Sequence, residues 1–231
     1  MPLDLAPWLA PVILVLAGAI GFAARGPRPR LAPALAEAAA LVAFAAAVLS
    51  AALLAMSGAP LPSAGLRLDA VSVTMLLLVT FVGWIVLRYA RTYLDGEARQ
   101  GAFTGWLCLT LASVLLLVSA GNLVQLVLAW IATSLFLHRL LLFYPERVAA
   151  QRAARKKFVT ARLGDAALVG AAVLLVAGYG TADIGAILAA ARDGAGGLFA
   201  IGAAVLLALA AVLKSAQFPS HGWLTEVMET P

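Results

Sequence analysis

The sequence has few of the residue types on which most soluble enzymes depend. Charged residues make up only 12% of its 231 residues, and it contains two histidines and a single cysteine, Cys108. One cysteine excludes an internal disulfide and a cysteine cluster that holds a metal. No metal-binding spacing of histidine or cysteine, glycine-rich phosphate loop or serine-centred nucleophile motif is present. We therefore expect no metal site, no cofactor and no enzyme activity.

Apolar sequence is what the chain has in excess. Apolar residues make up 64% of it and its mean hydropathy is +1.01, values outside the range of soluble globular domains. A membrane-spanning helix needs about 20 apolar residues. Seven stretches reach or approach that length, namely residues 7–24, 33–56, 71–93, 103–119, 123–143, 158–179 and 198–218. We therefore predict an all-α, polytopic transmembrane helical bundle of about seven spans.

The positive charges predict how the chain crosses the membrane. Connectors after odd-numbered spans hold 11 lysine and arginine residues, and those after even-numbered spans hold 2. Because cytoplasmic loops carry the excess of these residues, we expect the amino terminus outside and the end of the chain inside. Membrane topology then explains the net charge of +5, and we expect no nucleic-acid partner. The sixth connector has Ile184, Ile187, Leu188 and Ala191 at helical spacing, which predicts a short interfacial helix.

The seventh span carries a charge next to a predicted break in its helix. Its apolar run leads to Lys214, and Pro219, His221 and Gly222 follow before apolar sequence resumes. Proline lacks a backbone N–H and its ring clashes with the preceding turn. A lysine at membrane depth costs from about 3 to more than about 10 kcal/mol unless it lines a polar cavity. Lys214 is therefore the leading ion-pathway candidate, with His221 beside it; the alternative is that Lys214 extends to the membrane surface from a helix end.

Charged residues of the sixth span form a second candidate cluster. Arg162 and Asp165 are three residues apart, so they share a helix face and can pair. One interpretation is a structural ion pair near the cytoplasmic end of the span. The other is a lateral chain of polar groups to which Lys156, Lys157 and Lys214 contribute neighbouring charges.

His138 is the remaining candidate, near the end of the fifth span. It follows Thr133 and Ser134 by about one helical turn. Histidine changes its charge near physiological pH, so His138 can relay a proton, although a lone histidine on a helix can equally be a hydrogen-bonded packing residue. Both interpretations stay open.

Three stretches resemble one known family. KSAQFPSHGWLTEVMETP, which starts at Lys214, resembles the signature around the seventh helix of antiporter-like subunits. RKKFVTARLGD, residues 155–165, resembles that family's lysine, arginine and Gly-Asp pattern, and DAVSVTMLLLVTFVGWIVLRYA is similar to its third helix. The family comprises the proton-translocating membrane subunits of respiratory complex I (NuoL type) and of Mrp cation/proton antiporters. The resemblance implies a transporter subunit in which Lys214 is the central lysine.

Within this family, WIATSLFLHRLLLFYPER, followed by AARKKF, is similar to the DabB branch. The resemblance implies an H⁺- or Na⁺-translocating subunit of an inorganic carbon transporter in the bacterial cell inner membrane. It also implies a soluble, zinc-binding DabA-like partner that performs the carbon chemistry. A complex I or Mrp-type subunit is the alternative function, and a structural membrane scaffold is a third.

The chain departs from the family pattern at two places and matches only part of its length. Complex I subunits have a glutamate after the fifth-helix tryptophan, whereas Ile131 follows Trp130 here, and the family usually has proline where Thr225 stands. His138, seven residues on and roughly on the same face as Ile131, is a candidate substitute for that glutamate. We expect residues 1–102 to form helices 1–3 and residues 103–231 the start of the translocating domain. Because the family continues into a second, inverted repeat, we expect a fragment, a truncated product or half of a split subunit.

Overall fold

The chain folds into α-helices over the part that the structure describes. The computed structural model describes residues 6–24, 26, 29–58, 60–61, 65–218 and 221–225. After a 3-10 turn at Ala6–Trp8, the helices are α1 (Leu9–Ala23), α2 (Leu31–Ser57), α3 (Ala70–Tyr93), α4 (Gln100–Val118), α5 (Leu123–Leu141), α6 (Val148–Tyr179), α7 (Ile184–Arg192), α8 (Gly197–Lys214) and α9 (Gly222–Thr225). Within these ranges only isolated bridges, and no strands, are present. The prediction of an all-α polytopic membrane bundle is confirmed.

One helix corresponds to each of the seven predicted spans, although α6 begins at Val148, ten residues before the predicted start of its span at Phe158. Six of these helices, α2 to α6 and α8, are long and apolar enough to cross a membrane, whereas α1 has 15 residues. The sixth connector contains α7, so the short helix predicted there is present. Arg25 and Arg28, which contributed to the predicted topology, lie outside the described residues. The number of helices that cross and the orientation of the termini stay predictions.

The chain divides into two compact units, Met1–Ala120 and Gly121–Pro231. The first unit contains α1 to α4, and the second contains α5 to α9. Helix α4, which the sequence analysis placed at the start of the translocating domain, packs against α1 in the first unit. The domain boundary at residue 102 was based on family resemblance and stays a prediction.

Small residues let the helices of the first unit approach closely. A Cβ atom on Gly21 of α1 would lie 2.9 Å from Gly101 O and 2.9 Å from Gly105 N of α4. Cys108 of α4 and Ala40 of α2 are fully buried in the same core. Small side chains at helix contacts allow this close packing in lipid. The single cysteine therefore fills the core of this unit.

The α1–α4 contact gives a stability prediction. Gly21→Ala should lower the free energy of unfolding by about 1–3 kcal/mol, because both atoms that its methyl group would meet are backbone and cannot move alone. The measurement is the thermal midpoint of the purified chain in detergent. Gly164→Ala is the matched control, because its added Cβ would meet Leu213 Cβ at an ordinary 3.5 Å. Equal midpoints for the two variants would contradict the close packing of α1 on α4.

Side-chain caps determine where two of the long helices begin. The Asp69 carboxylate accepts a hydrogen bond from the Ser72 N–H at the start of α3, and Asn122 accepts one from the Gln125 N–H at the start of α5. Burial raises the pKa of Asp69, but the hydrogen bonds from Ser72 and Arg67 outweigh that effect, so its pKa is lower than usual. Such a cap contributes about 1 kcal/mol to helix stability. The cap on α5 fixes the start of the helix that carries most of the site described next.

Candidate ion-pathway site

Three helices of the second unit, α5, α6 and α8, bring most of the candidate residues together. Helix α6 packs along both of the others. Gly164 of α6 faces Ala210 and Leu213 of α8. Ala167 of α6 is buried with Ala210, and Trp130 of α5 packs against this cluster. These small side chains allow α8 to lie close to α6.

The helix that carries Lys214 is interrupted directly after it. Helix α8 ends at Lys214, and Ala216 has a φ of 51°, a left-handed conformation that residues with a side chain rarely adopt. Helical structure returns in α9, which packs against α6. Pro219, which was expected to cause the break, lies outside the described residues, as do Ser220 and residues 226–231. The interruption is therefore present and begins before the proline.

The amine of Lys214 is held by three oxygen atoms of α5. Its Nζ donates to Trp130 O at 3.0 Å, to Thr133 Oγ1 at 2.9 Å and to Ser134 Oγ at 2.9 Å. The same nitrogen lies 4.2 Å from the centre of the Trp130 ring, a cation–π distance. An ammonium group has three N–H donors, so this set uses all of them. The side chain thus turns onto α5, whereas a lysine that only extends to the membrane surface would place its amine away from the helices.

The acceptors of Lys214 come from one turn of α5. The Thr133 hydroxyl donates to Trp130 O at 2.7 Å while its oxygen accepts from Lys214. Thr133 and Ser134 are both buried. All three acceptors are uncharged, so the charge of the ammonium group is not neutralised by a hydrogen-bonded carboxylate.

Of the two adjacent lysines on α6, the structure places Lys157 in the site. Lys157 is only 6% exposed, and its Nζ donates to Ser134 O at 2.6 Å. The side chain of Lys156, which the sequence analysis also named, is exposed. Ser134 therefore contacts two lysines, one through its hydroxyl group and the other through its carbonyl group.

Arg162 and Asp165 form the ion pair that their spacing predicted. Arg162 Nη2 lies 2.6 Å from Asp165 Oδ2. The atoms are not aligned as a hydrogen bond, and neither carboxylate oxygen of Asp165 has a hydrogen-bond partner among the described residues. Asp165 is 6% exposed and is near enough to act electrostatically on Lys157 and Lys214. It is thus a buried carboxylate that counters several cations.

His138 lies next to this cluster and makes few polar contacts. The centre of its ring lies 5.1 Å from the centre of the Phe158 ring. The guanidinium carbon of Arg162 also lies 5.1 Å from the centre of the Phe158 ring. The Nδ1 atom of His138 is buried and has no hydrogen-bond partner within the described ranges. It is held against α6, and its proposed substitution for the absent glutamate stays a prediction.

His221 is placed differently from the other candidates. Its side chain is exposed and its ring stacks on Phe218 at 5.7 Å. Both residues lie in the segment between α8 and α9. A role for His221 in the pathway stays a prediction.

Sequence reasoning did not identify Thr133 and Ser134 as ligands of Lys214. A signal was present, because two adjacent hydroxyl side chains in an otherwise apolar run are unusual unless their oxygens find partners.

In the described part of the chain no group of three histidine, cysteine, aspartate or glutamate residues is arranged to hold a metal ion. The ionisable groups that the structure brings together in the site are the amines of Lys157 and Lys214 and the Arg162–Asp165 pair.

Two family models match the chain. Residues 120–231 match the family described as NADH:quinone oxidoreductase/Mrp antiporter, transmembrane. Residues 60–104 match the family described as NADH-ubiquinone oxidoreductase (complex I), chain 5 N-terminus. The two matches include every helix of the candidate site.

The chain is similar to proteins named as inorganic carbon transporter subunits and to proteins named as NADH-quinone oxidoreductase subunits. The chain is 44% identical over 185 residues to "Probable inorganic carbon transporter subunit DabB2" of Halothiobacillus neapolitanus, covering 76% of the chain and 33% of that protein. It is 41% identical over 163 residues to "Probable inorganic carbon transporter subunit DabB" of Hydrogenovibrio crunogenus, covering 69% and 31%. It is 36% identical over 168 residues to NADH-quinone oxidoreductase subunit L of Escherichia coli, covering 72% and 27%. The chain thus spans about a third of the length of these relatives.

Solved structures share the fold. A chain of the Mrp complex from Dietzia sp. DQ12-45-1b aligns with a TM-score of 0.74 at 29% identity, over 100% of this chain and 25% of that one. A chain of the archaeal membrane-bound sulfane sulfur reductase aligns with a TM-score of 0.78 over 99% of this chain and 47% of that one, at 14% identity, which shows the fold alone. Together with the helices and motifs above, these findings confirm the predicted resemblance. The chain belongs to the NADH:quinone oxidoreductase/Mrp antiporter family of multi-pass membrane subunits.

Proposed function

We propose that this chain acts in an ion-translocating subunit of an inorganic carbon transporter in the bacterial inner membrane. In this proposal the subunit passes H⁺ or Na⁺ inward and transmits the released energy to a soluble DabA-like, zinc-binding partner. That partner converts carbon dioxide to bicarbonate, so the chain itself is a transporter subunit and not an enzyme. The similarity to DabB subunits supports the carbon-transport assignment.

The observation that carries the proposal is the position of the Lys214 amine. It sits at a helix interruption, bound to three neutral oxygens of α5, within a unit of apolar helices. Interrupted helices supply the ion sites of many transporters because they expose polar groups at membrane depth. Since none of its direct ligands is charged, the proton occupancy of Lys214 responds to nearby charges such as Asp165, Lys157 and Arg162. A site of this kind can load and release a proton when those charges change.

The test uses the full-length subunit together with its partner. We expect the pair, produced in a bacterial host that lacks carbonic anhydrase, to copurify and to restore growth in ambient air. A protonophore, or removal of sodium ions if Na⁺ is the coupled ion, should abolish uptake of labelled inorganic carbon. The carbon-transport proposal is wrong if the subunit instead assembles with redox subunits and supports proton pumping driven by NADH oxidation. The similarity to NADH-quinone oxidoreductase subunit L supports that second candidate function.

A further inference from the structure

The second buried lysine of the site, Lys157, has a geometry that a structural role does not explain. Its side chain is 6% exposed, and among the described residues its one hydrogen bond joins Nζ to Ser134 O at 2.6 Å. A buried ammonium group has three donors, and one carbonyl satisfies only one of them. Burying a charge is costly unless it is fully paired. Burial of the Lys157 ammonium group therefore lowers the stability of the folded chain, whereas a methionine or leucine at this position would not bury a charge.

Lys157 and Lys214 share a single residue of α5. The hydroxyl oxygen of Ser134 accepts from Lys214, and the carbonyl oxygen of the same residue accepts from Lys157. Two ammonium groups on one residue repel each other, and the low dielectric of the helix interior strengthens the repulsion. Each lysine therefore acts electrostatically on the other.

The charges around the pair do not balance. Arg162 and Asp165 on α6 are already paired with each other. His138 of α5, which adds a further cation when it is protonated, lies within electrostatic reach of Lys157, Arg162 and Arg139. Asp165 is thus the one carboxylate that acts on Lys157 and Lys214 among the described residues. With both lysines protonated, the site holds more positive charge than this carboxylate can neutralise. A state in which only one of the two lysines carries a proton is favoured electrostatically.

We infer that Lys157 is a second proton-carrying residue of this site and that it alternates with Lys214 in holding a proton, with Ser134 as their common ligand. The inference deepens the proposed function and rests on it. When Lys157 gains a proton, repulsion favours loss of the proton from Lys214, and the reverse transfer restores the first state. Protons are conserved in each exchange, and no other reactant is needed.

The test compares substitutions at Lys157 with the same substitution at its exposed neighbour. Lys157→Met removes the charge, Lys157→Gln keeps one hydrogen-bond donor for Ser134 O, and Lys157→Arg keeps a positive charge that does not release its proton. Lys156→Met is the matched control. The measurements are membrane content and ion-coupled carbon uptake of the full-length subunit with its partner, with Lys214→Met in the same series.

We expect all three Lys157 variants to accumulate in the membrane and to lose uptake by at least about tenfold, since proton-transfer groups typically contribute about 10²–10⁴-fold. Lys156→Met should retain uptake. Uptake at the normal rate by Lys157→Arg or Lys157→Gln would overturn the inference, because a fixed charge or a hydrogen bond would then suffice. Failure of all three variants to accumulate would also overturn it by assigning Lys157 to folding. If Lys214→Met transported normally, the proposed function itself would fail, so the two failures are distinguishable.

Discussion

Replacing Lys214 with methionine should abolish ion-coupled transport and leave the full-length subunit folded in the membrane. Methionine has a similar length and no charge, so it can lie against the Trp130 ring while the three α5 oxygens lose their cation. The Thr133 hydroxyl already donates to Trp130 O, so removal of the Lys214 amine does not leave that carbonyl without a hydrogen-bond donor. We expect uptake to fall by about 10²-fold or more, as for other groups that transfer protons directly.

Two further variants make the Lys214 result specific. Lys214→Arg should also be inactive, because arginine keeps its proton at every physiological pH. Ser215→Ala is the matched control at the next residue, since within the described part of the chain its exposed hydroxyl donates only to Ala211 O of the preceding helix. Normal uptake by Lys214→Met, or loss of uptake in Ser215→Ala equal to that in Lys214→Met, would exclude Lys214 as the proton carrier.

Removing the hydroxyl ligands of Lys214 should have the next largest effect. The double substitution of Thr133→Val and Ser134→Ala keeps the shape of α5 and leaves Trp130 O as the remaining acceptor. A hydrogen bond to a charged group contributes about 1.5–3 kcal/mol, which corresponds to about 10-fold to 150-fold for each hydroxyl group. We expect transport to fall by at least about tenfold in each single variant and further in the double variant.

The matched control for these substitutions is Thr80→Val in α3. Thr80 is fully buried, and the acceptors of its hydroxyl among the residues that the structure describes are Leu76 O and Leu77 O of its own helix. Its loss should leave uptake unchanged, because no ligand of the site is removed. If Thr133→Val and Ser134→Ala behaved like Thr80→Val, the α5 oxygens would have no part in holding the active amine.

The sequence was sufficient to predict the helices and the interruption in the seventh span. Apolar runs of the right length predicted α2 to α6 and α8, because a helix in lipid must satisfy its own backbone hydrogen bonds whatever surrounds it. Helix α6 begins ten residues before its apolar run, in a segment that hydropathy does not mark as helical. The break after Lys214 was also predictable, although it starts at Ser215 and not at Pro219. Spacing alone predicted the Arg162–Asp165 pair, because residues three apart are neighbours on any helix.

The ligands of Lys214 could not be predicted in the same way. Lys214 and Ser134 are 80 residues apart, and their contact depends on how α5 and α8 are rotated against α6. The choice between Lys156 and Lys157 has the same origin, because adjacent residues point about 100° apart around a helix. Only the packing of α6 determines which of them faces Ser134. Neither fact is encoded in the hydropathy or in the family motif.

The central claim, that a titratable amine at this position drives transport, can be tested most directly by replacing and restoring it. The chain's one cysteine, Cys108, is fully buried, so a Lys214→Cys variant of the full-length subunit, with cysteines elsewhere replaced, offers one reactive thiol. The account predicts that Lys214→Cys is inactive. Modification with aminoethyl methanethiosulfonate, which attaches a primary amine, should restore uptake, whereas the trimethylammonium reagent, whose charge is permanent, should not. Equal restoration by both reagents, or full uptake by the unmodified cysteine variant, would contradict the account.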